Sequence, residues 1–100
     1  MKENHKNKAE VLRVIRGMRS ELAERYTVKR IGVFGSFARG DEDSDSDVDI
    51  LVELAEPTFD HYMDVKFRLE EVLGCSVDLV MVDTVKPRLR PIIEREAVYA

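Results

Sequence analysis

Cysteine and long apolar runs are scarce in this sequence, and each scarcity excludes a class of protein. Cys75 is the only cysteine among the 100 residues, so neither an internal disulfide nor a cysteine-based zinc site can form. No apolar run approaches the roughly 18 residues that span a bilayer, and the first ten residues, MKENHKNKAE, lack the apolar centre of a signal peptide. We therefore expect a cytoplasmic protein with no membrane association.

Positive charge is missing from one part of the chain. Residues 41–60 contain nine Asp or Glu and no Lys or Arg, whereas residues 1–30 contain nine Lys or Arg against four Asp or Glu. The basic charges are spread around a helix without aromatic residues between them, which argues against nucleic-acid binding. The concentrated acidic charge is self-repelling and is tolerated best where a cation sits among the carboxylates.

Length and composition predict one globular domain over residues 1–100, with 44% apolar and 36% charged residues. Hydrophobic periodicity predicts three helices and three strands. In chain order these are a helix over 6–26, strands over 28–35 and 48–54, a helix from Pro57 to Gly74, a strand over 76–82, and a helix from Pro87 with Leu89, Ile92 and Ile93 facing inward. The helix between the last two strands is the crossover that a parallel pair requires. The pattern therefore predicts a small α/β (α+β) domain, with a mixed sheet of three to four strands flanked by helices.

Aspartates alternate in the stretch SDSDVDI, where the second strand begins. Asp45, Asp47 and Asp49 all point to one face of that strand, and Glu53 shares the face as an expected solvated acid at the strand end. Carboxylates two residues apart on a strand have Cβ atoms about 7 Å apart, so both can bind one divalent ion or two adjacent ions. An EF-hand calcium loop is excluded, because its sixth position must be glycine and is Ile50 here.

A further acid, Asp78, lies in SVDLVMV, a run apolar enough to predict a buried central strand. An isolated ionised carboxylate would be costly there, so the sequence predicts a basic partner, protonation or a bound metal. Pairing of this strand with the preceding one would bring Asp78 beside Asp47 and Asp49. Three carboxylates on one patch of sheet fit a divalent-metal site better than a salt bridge.

Gly35 and Ser36 end the first predicted strand and lead into a short helical turn over residues 36–39. Such a turn presents free backbone N–H groups to an anion, glycine lets a phosphate approach the backbone, and serine adds a hydroxyl donor. The surrounding sequence contains neither the P-loop pattern GxxxxGK[ST] nor the Rossmann pattern GxGxxG. Taken alone, Gly35-Ser36 is a very weak signal, and a plain turn is the favoured interpretation.

Three ordered motifs together resemble a known family. GSFARG over 35–40, SDVDILV over 46–52 and VDLV over 77–80 resemble the nucleotidyltransferase superfamily of DNA polymerase β, with ten residues between Ser36 and Asp47. Within it, the chain is most similar to the minimal nucleotidyltransferases, the MNT-domain antitoxins of HEPN-domain toxins. This spacing, and the aliphatic run that begins at Val48, select Asp47 and Asp49 as the site residues and leave Asp45 as a bystander.

The resemblance implies a role for each matching residue. Asp47 and Asp49 would hold two Mg²⁺ ions, and Asp78 would complete the site next to the acceptor hydroxyl. A further set would bind the phosphates of a nucleoside triphosphate, namely Gly35, Ser36 and Arg39. The implied reaction transfers AMP from ATP to a tyrosine hydroxyl of a partner HEPN toxin and thereby neutralises it.

Two alternatives to the catalytic antitoxin stay open. The first is a non-catalytic antitoxin that neutralises its toxin by binding, although all three acids of the motif are present. The second is a small-molecule transferase of the aminoglycoside type, which is less consistent with a chain that lacks a second, helical domain. Without that domain the cleft has one wall, so we expect the other wall to come from a second copy or from the toxin, in a homodimer or hetero-oligomer.

Overall fold

The computed structural model describes residues 8–35 and 47–100 of the chain. Within these residues it contains four α-helices, one short 3₁₀ helix and four strands. In chain order they are α1 (Lys8–Gly17), α2 (Arg19–Tyr26), β1 (Val28–Phe34), β2 (Val48–Leu54), α3 (Phe59–Leu73), β3 (Val77–Met81), the 3₁₀ helix (Val82–Thr84), α4 (Arg90–Glu96) and β4 (Val98–Tyr99). The predicted α+β architecture is confirmed. The predicted turn over 36–39 and the loop over 41–46 lie outside the described residues.

Two helices stand where the periodicity predicts one over 6–26. The described part of this segment breaks at Met18, whose backbone N–H donates to the carbonyl of Ile15 at 2.9 Å in a tight turn. Met18 and Leu22 are nonetheless buried in the same hydrophobic core as the inner residues of α1. Because the apolar spacing continues across the break, the sequence pattern does not reveal it.

The ends of α3 agree with the predicted start and stop signals. The Thr58 hydroxyl accepts a hydrogen bond from the backbone N–H of His61 at 3.1 Å, which satisfies one of the free N–H groups of the first turn. Gly74 ends the helix in the left-handed conformation, with φ of 72°, and donates to the carbonyl of Glu70 at 2.8 Å. The helix therefore has a defined length and returns the chain to the sheet at a fixed point.

The sheet is mixed and has the order β3-β2-β1-β4. The predicted parallel pair is confirmed, since β2 and β3 are parallel with α3 as the crossover, while β1 is antiparallel to both β2 and β4. The prediction that the strand over 76–82 is central is wrong, because β3 lies at an edge of the sheet. Its apolar residues Val77 and Leu79 pack on one face against the helices, and Asp78 faces the other way and is exposed.

The hydrophobic core lies between one face of the sheet and helices α1, α2 and α3. Alternate residues of each strand point into it, as strand geometry requires. Its buried members are Val11, Leu12, Ile15, Met18, Leu22, Ile31, Val33, Val48, Ile50, Val52, Leu54, Val65, Leu69, Leu73, Val77 and Leu79. The remaining residues of β2, among them Asp49 and Glu53, point to the second face of the sheet.

The last helix differs from its prediction. It begins at Arg90 and not at Pro87, because residues 87–89 form a turn in which Leu89 N–H donates to the Lys86 carbonyl at 2.9 Å. Leu89 and Ile92, two of the three residues expected to face inward, are 42% and 50% exposed, and the third, Ile93, is half-buried. None of the described helices has the length and apolar character needed to cross a membrane.

Candidate functional site

Two of the predicted acids lie side by side on neighbouring strands. Asp49 in β2 and Asp78 in β3 are direct partners in the parallel register, next to the pair formed by Val48 and Val77. The Val48 N–H donates to the Ser76 carbonyl at 3.1 Å, which closes the junction where both strands begin. Because register partners share a face of the sheet, the Asp49 and Asp78 side chains leave the sheet on the same side.

The third predicted acid, Asp47, directly precedes β2 and is exposed. It lies two residues before Asp49, at the end of the sheet where β3 also begins. After the larger contribution from Glu70, the negative charge of Asp47 also raises the pKa of Lys66 in α3. The structure therefore places all three acids at one end of the β2–β3 pair.

Asp78 is exposed, although the sequence predicts a buried position for it. Its side chain is exposed on an edge strand, so burial imposes no desolvation cost that a partner must offset. Within residues 8–35 and 47–100 its carboxylate forms no ion pair or hydrogen bond. The salt-bridge interpretation of Asp78 is therefore not supported, and its position beside Asp49 comes from strand pairing alone.

Gly35 closes the site from the side of β1. Phe34 is the register partner of Asp49, and the next residue, Gly35, has φ of 72°, a conformation that glycine adopts at little cost. A Cβ atom on Gly35 would overlap Oδ2 of Asp49 and lie 3.0 Å from its Cγ. The absence of a side chain at Gly35 is therefore what leaves room for the Asp49 carboxylate in this position.

The donor chemistry of the three acids suits a hard divalent cation. Carboxylate oxygens are the ligands that Mg²⁺ prefers, and it binds through one or two of them together with substrate phosphates. In the part of the chain that the structure describes, no three acidic, histidine or cysteine side chains converge on one point that could hold a metal ion. The residues fit Mg²⁺ by type and strand register, and the side chains are not gathered around a common centre.

Two residues of α3 near these acids were not predicted from the sequence. Glu70 Oε2 accepts from the Lys66 ammonium at 2.8 Å and from the Val77 backbone N–H at 3.0 Å. The hydrogen bond from Lys66 lowers the pKa of Glu70, and the bond from Val77 lowers it further. The hydrogen bond to Glu70 in turn raises the pKa of Lys66. The i, i+4 spacing is visible in the sequence, but the contact with β3 is not.

Glu53 is paired, although the sequence suggests a solvated acid. Its carboxylate accepts from Arg30 Nε at 2.8 Å and lies 3.8 Å from Lys29 Nζ. The hydrogen bond from Arg30 lowers the pKa of Glu53. Since Glu53 lies four residues along β2 from Asp49, about 13 Å away, it belongs to a separate ion-pair group at the other end of the sheet.

An open apolar groove of about 460 Å³ runs beside β3. It is lined by Phe59, Tyr62, Leu79, Val80, Met81 and Thr84. Tyr62 donates its hydroxyl proton to the Leu79 carbonyl at 2.8 Å, and the Phe59 side chain is 73% exposed. Val80, one of these lining residues, shares a face of β3 with Asp78 and lies two residues, about 7 Å, farther along the strand.

The remaining predicted site residues, Ser36 and Arg39, lie outside the described residues, as does Asp45. The described part of the predicted site thus consists of Gly35 and the three acids. The structure brings Gly35, Asp49 and Asp78 together by strand pairing and places Asp47 at the same end of the sheet.

Comparison with known proteins gives consistent results. Residues 15–100 match the family of nucleotidyltransferase domains. The chain is 42% identical to protein adenylyltransferase MntA of Thermococcus cleftensis over 91 residues, which cover 90% of this chain and 92% of that protein.

Solved structures show the same fold. One assigned as a minimal nucleotidyltransferase is 36% identical, with a TM-score of 0.76, and the match covers 96% of this chain and 98% of that chain. A complex of a tri-AMPylated HEPN toxin with its MNT antitoxin, from Shewanella oneidensis, contains a chain 19% identical, with a TM-score of 0.61 and coverage of 88% and 70%.

Proposed function

The chain belongs to the nucleotidyltransferase domain family, among the minimal nucleotidyltransferases, and on that premise we propose that it is an antitoxin that transfers AMP from ATP to a tyrosine hydroxyl of a partner HEPN toxin. The observation that carries the proposal is the register pairing of Asp49 with Asp78, with Gly35 packed against Asp49. The identity of 42% to a protein adenylyltransferase supports protein as the acceptor class.

In this proposal the three acids bind the metal ions at the reaction centre. Asp47, Asp49 and Asp78 would hold two Mg²⁺ ions, which when bound supply positive charge to the phosphate oxygens and polarise the α-phosphorus. Gly35, with Ser36 and Arg39, would hold the phosphates through backbone N–H groups, a hydroxyl and a guanidinium.

The transfer itself exchanges one phosphorus–oxygen bond for another. The tyrosine oxygen forms a bond to the α-phosphorus of ATP as the bond to the bridging oxygen of the β-phosphate breaks, and pyrophosphate leaves. The exposed carboxylate of Asp78 would accept the phenolic proton, since its position at the edge of the sheet leaves it open to an incoming acceptor. Asp49, beside it on β2, is half-buried and is assigned to metal binding.

The proposed acceptor is a protein for two reasons. The solved complex of related fold contains a HEPN toxin that is itself AMPylated. The apolar groove beside β3, with Phe59 73% exposed, offers a surface that a protein acceptor can cover. The assembly would then be a hetero-oligomer in which the toxin provides the second wall of the cleft.

A second candidate is an antitoxin that neutralises its toxin by binding alone. It is favoured by one observation, namely that no three acidic, histidine or cysteine side chains within the described ranges converge on a metal position. The two candidates differ in whether neutralisation needs the carboxylates.

The test is co-expression of the cognate HEPN protein with wild-type antitoxin or with the Asp47→Asn/Asp49→Asn double variant. Catalytic neutralisation predicts that the wild type restores growth and that the double variant, at equal soluble abundance, does not. Full neutralisation by the double variant would support binding alone. The small-molecule alternative is tested by offering aminoglycosides with labelled ATP, and we expect no transfer to them.

A further inference from the structure

We propose that Glu70 is a positioning residue for Asp78, which it holds beside Asp49 through the backbone of Val77. The inference rests on the proposed function in one respect only, that the acids bind a divalent metal. Glu70 touches neither substrate nor metal in this account, and it acts on the site through the strand that carries Asp78.

The contact ties the crossover helix to the start of β3. Glu70, in the last turns of α3, is only partly exposed, and its Oε2 accepts the Val77 N–H at 3.0 Å. Val77 is the first residue of β3 and directly precedes Asp78. A charged acceptor makes a stronger hydrogen bond than a neutral one, so the position of this N–H is well defined.

The edge position of β3 explains why such a tie is needed. β2 is the strand hydrogen-bonded to β3 within the described sheet, so the outer side of β3 has no ladder to hold it there. Strand ends of this kind open at low free-energy cost. The bond to Glu70 anchors the first residue of β3, one position before the acid that must stay in register with Asp49.

Lys66 neutralises the negative charge of Glu70. Its ammonium donates to the same Oε2 of Glu70 at 2.8 Å, and its side chain is 28% exposed. The pKa of Lys66 is raised chiefly by the hydrogen bond to Glu70, and the charge of Asp47 contributes a smaller effect in the same direction. This i, i+4 pair on α3 therefore contacts the backbone at the start of β3.

The test is direct binding of Mn²⁺, a spectroscopic substitute for Mg²⁺, to the full chain, measured by electron paramagnetic resonance without ATP or toxin. Glu70→Ala removes the tie and should weaken Mn²⁺ binding about 10-fold, the lower end of what outer residues contribute at metal sites. Glu70→Gln keeps an acceptor oxygen for Val77 and should remain closer to the wild type. If Glu70→Ala does not fold, Glu70→Asp keeps the charge but shortens the reach and should weaken binding in the same direction.

The matched control is Glu71→Ala. Glu71 is the next residue on α3 and pairs with Arg68 at 3.1 Å, so its replacement by alanine also removes an ion pair. Glu71 is exposed, and the structure records no contact between it and β3. Equal Mn²⁺ affinity of the Glu70→Ala and Glu71→Ala variants would overturn the inference. Slow amide hydrogen exchange at Val77 in the wild type, accelerated in Glu70→Ala and not in Glu71→Ala, would support it independently of any metal.

These readouts separate the inference from the proposed function. Tight Mn²⁺ binding that depends on Glu70, together with no AMP transfer to the toxin, would overturn the proposed function and leave the inference standing. If AMP is transferred to the toxin but Glu70→Ala changes neither Mn²⁺ binding nor amide exchange at Val77, the inference is overturned and the proposed function stands.

Discussion

At the scale of single residues, the site depends on how little space surrounds the Asp49 carboxylate. Gly35 directly follows β1 and Asp49 lies in β2, and the overlap that a Cβ at Gly35 would create falls on the carboxylate itself. The sequence predicts an anion-binding role for Gly35 from its neighbour Ser36. Its contact with Asp49 could not be predicted, because it depends on the register between β1 and β2.

The Gly35→Ala variant should therefore lose most of its AMP-transfer activity. The added Cβ displaces the Asp49 carboxylate, and the positive φ costs a non-glycine residue about 1 kcal/mol. We expect a loss of roughly 10- to 100-fold in turnover, comparable to misplacing a metal-site residue. Gly17→Ala is the control, since a Cβ at Gly17 would meet no atom within 4 Å. Equal activity of the two variants would contradict the role given to Gly35.

The alternating aspartates give a second prediction at this scale. Asp47→Asn or Asp49→Asn should abolish AMP transfer to the toxin, because each removes a charged ligand of the proposed metal site. Asp45→Asn should keep most of the activity. Initial rates with labelled ATP would check this, and an Asp45→Asn variant as damaged as the other two would show that the assignment is shifted by two residues along the strand.

At the scale of elements, the outcome of each sequence prediction depends on whether its signal is local. The start of α3 at Thr58 and its end at Gly74 are local signals, and they are confirmed. The two-residue strand β4 has no periodicity of its own, and its close approach to β1 is possible because Gly32 lacks a Cβ, which would lie 2.9 Å from the Val98 carbonyl oxygen. The edge position of β3 likewise depends on the other strands, so an apolar run alone suggests a central strand.

Helix α4 is the element whose orientation the periodicity predicts wrongly, and stability measurements can check the correction. Ile92 is 50% exposed, so Ile92→Ala should change the free energy of unfolding by less than about 0.5 kcal/mol. Leu69 in α3 is fully buried, and Leu69→Ala should cost about 2–5 kcal/mol through lost apolar contact and the cavity left behind. Similar losses in urea denaturation would show that the predicted inward face of α4 is right after all.

The pairing of β1 with β2 predicts a pH dependence. The hydrogen bond from Arg30 lowers the pKa of Glu53 below its unfolded value. This contribution is therefore fully present above the ordinary glutamate pKa of about 4.3 and is lost as the pH falls through the lower folded value. Unfolding measured from pH 6 down to pH 3 should show a shallower loss of stability in Glu53→Gln than in the wild type. Part of the pH dependence of stability should remain in Glu53→Gln, because the pKa values of Glu21 and Glu70 are also lowered.

Glu24→Gln is the matched control for that series. Glu24 is exposed on α2 and forms no ion pair within the described ranges, so its variant should follow the wild-type pH curve. An unchanged slope in Glu53→Gln would show that the pair with Arg30 does not contribute to acid stability.

At the scale of the whole molecule, the sheet has two ends with different electrostatic character. Asp47, Asp49 and Asp78 share one end, and the ion pairs around Glu53 and Arg30 occupy the other. The parallel pairing of β2 and β3 was predictable, because a crossover helix between two strands permits little else. It is this pairing that turns separate acids in the sequence into neighbours. The Lys66–Glu70 tie was not predictable, since it needs the position of α3 over the strand start.

The central claim is that the chain transfers AMP to its partner protein through these acids. The most direct measurement is incubation of the purified HEPN partner, Mg²⁺ and the chain with ATP labelled either on the α- or on the γ-phosphate, followed by intact-mass analysis of the partner. We expect that α-label appears on the partner, that γ-label leaves as pyrophosphate, and that Asp49→Asn abolishes the transfer. Label from the γ-phosphate on the partner, or α-label transfer undiminished in Asp49→Asn, would contradict this claim.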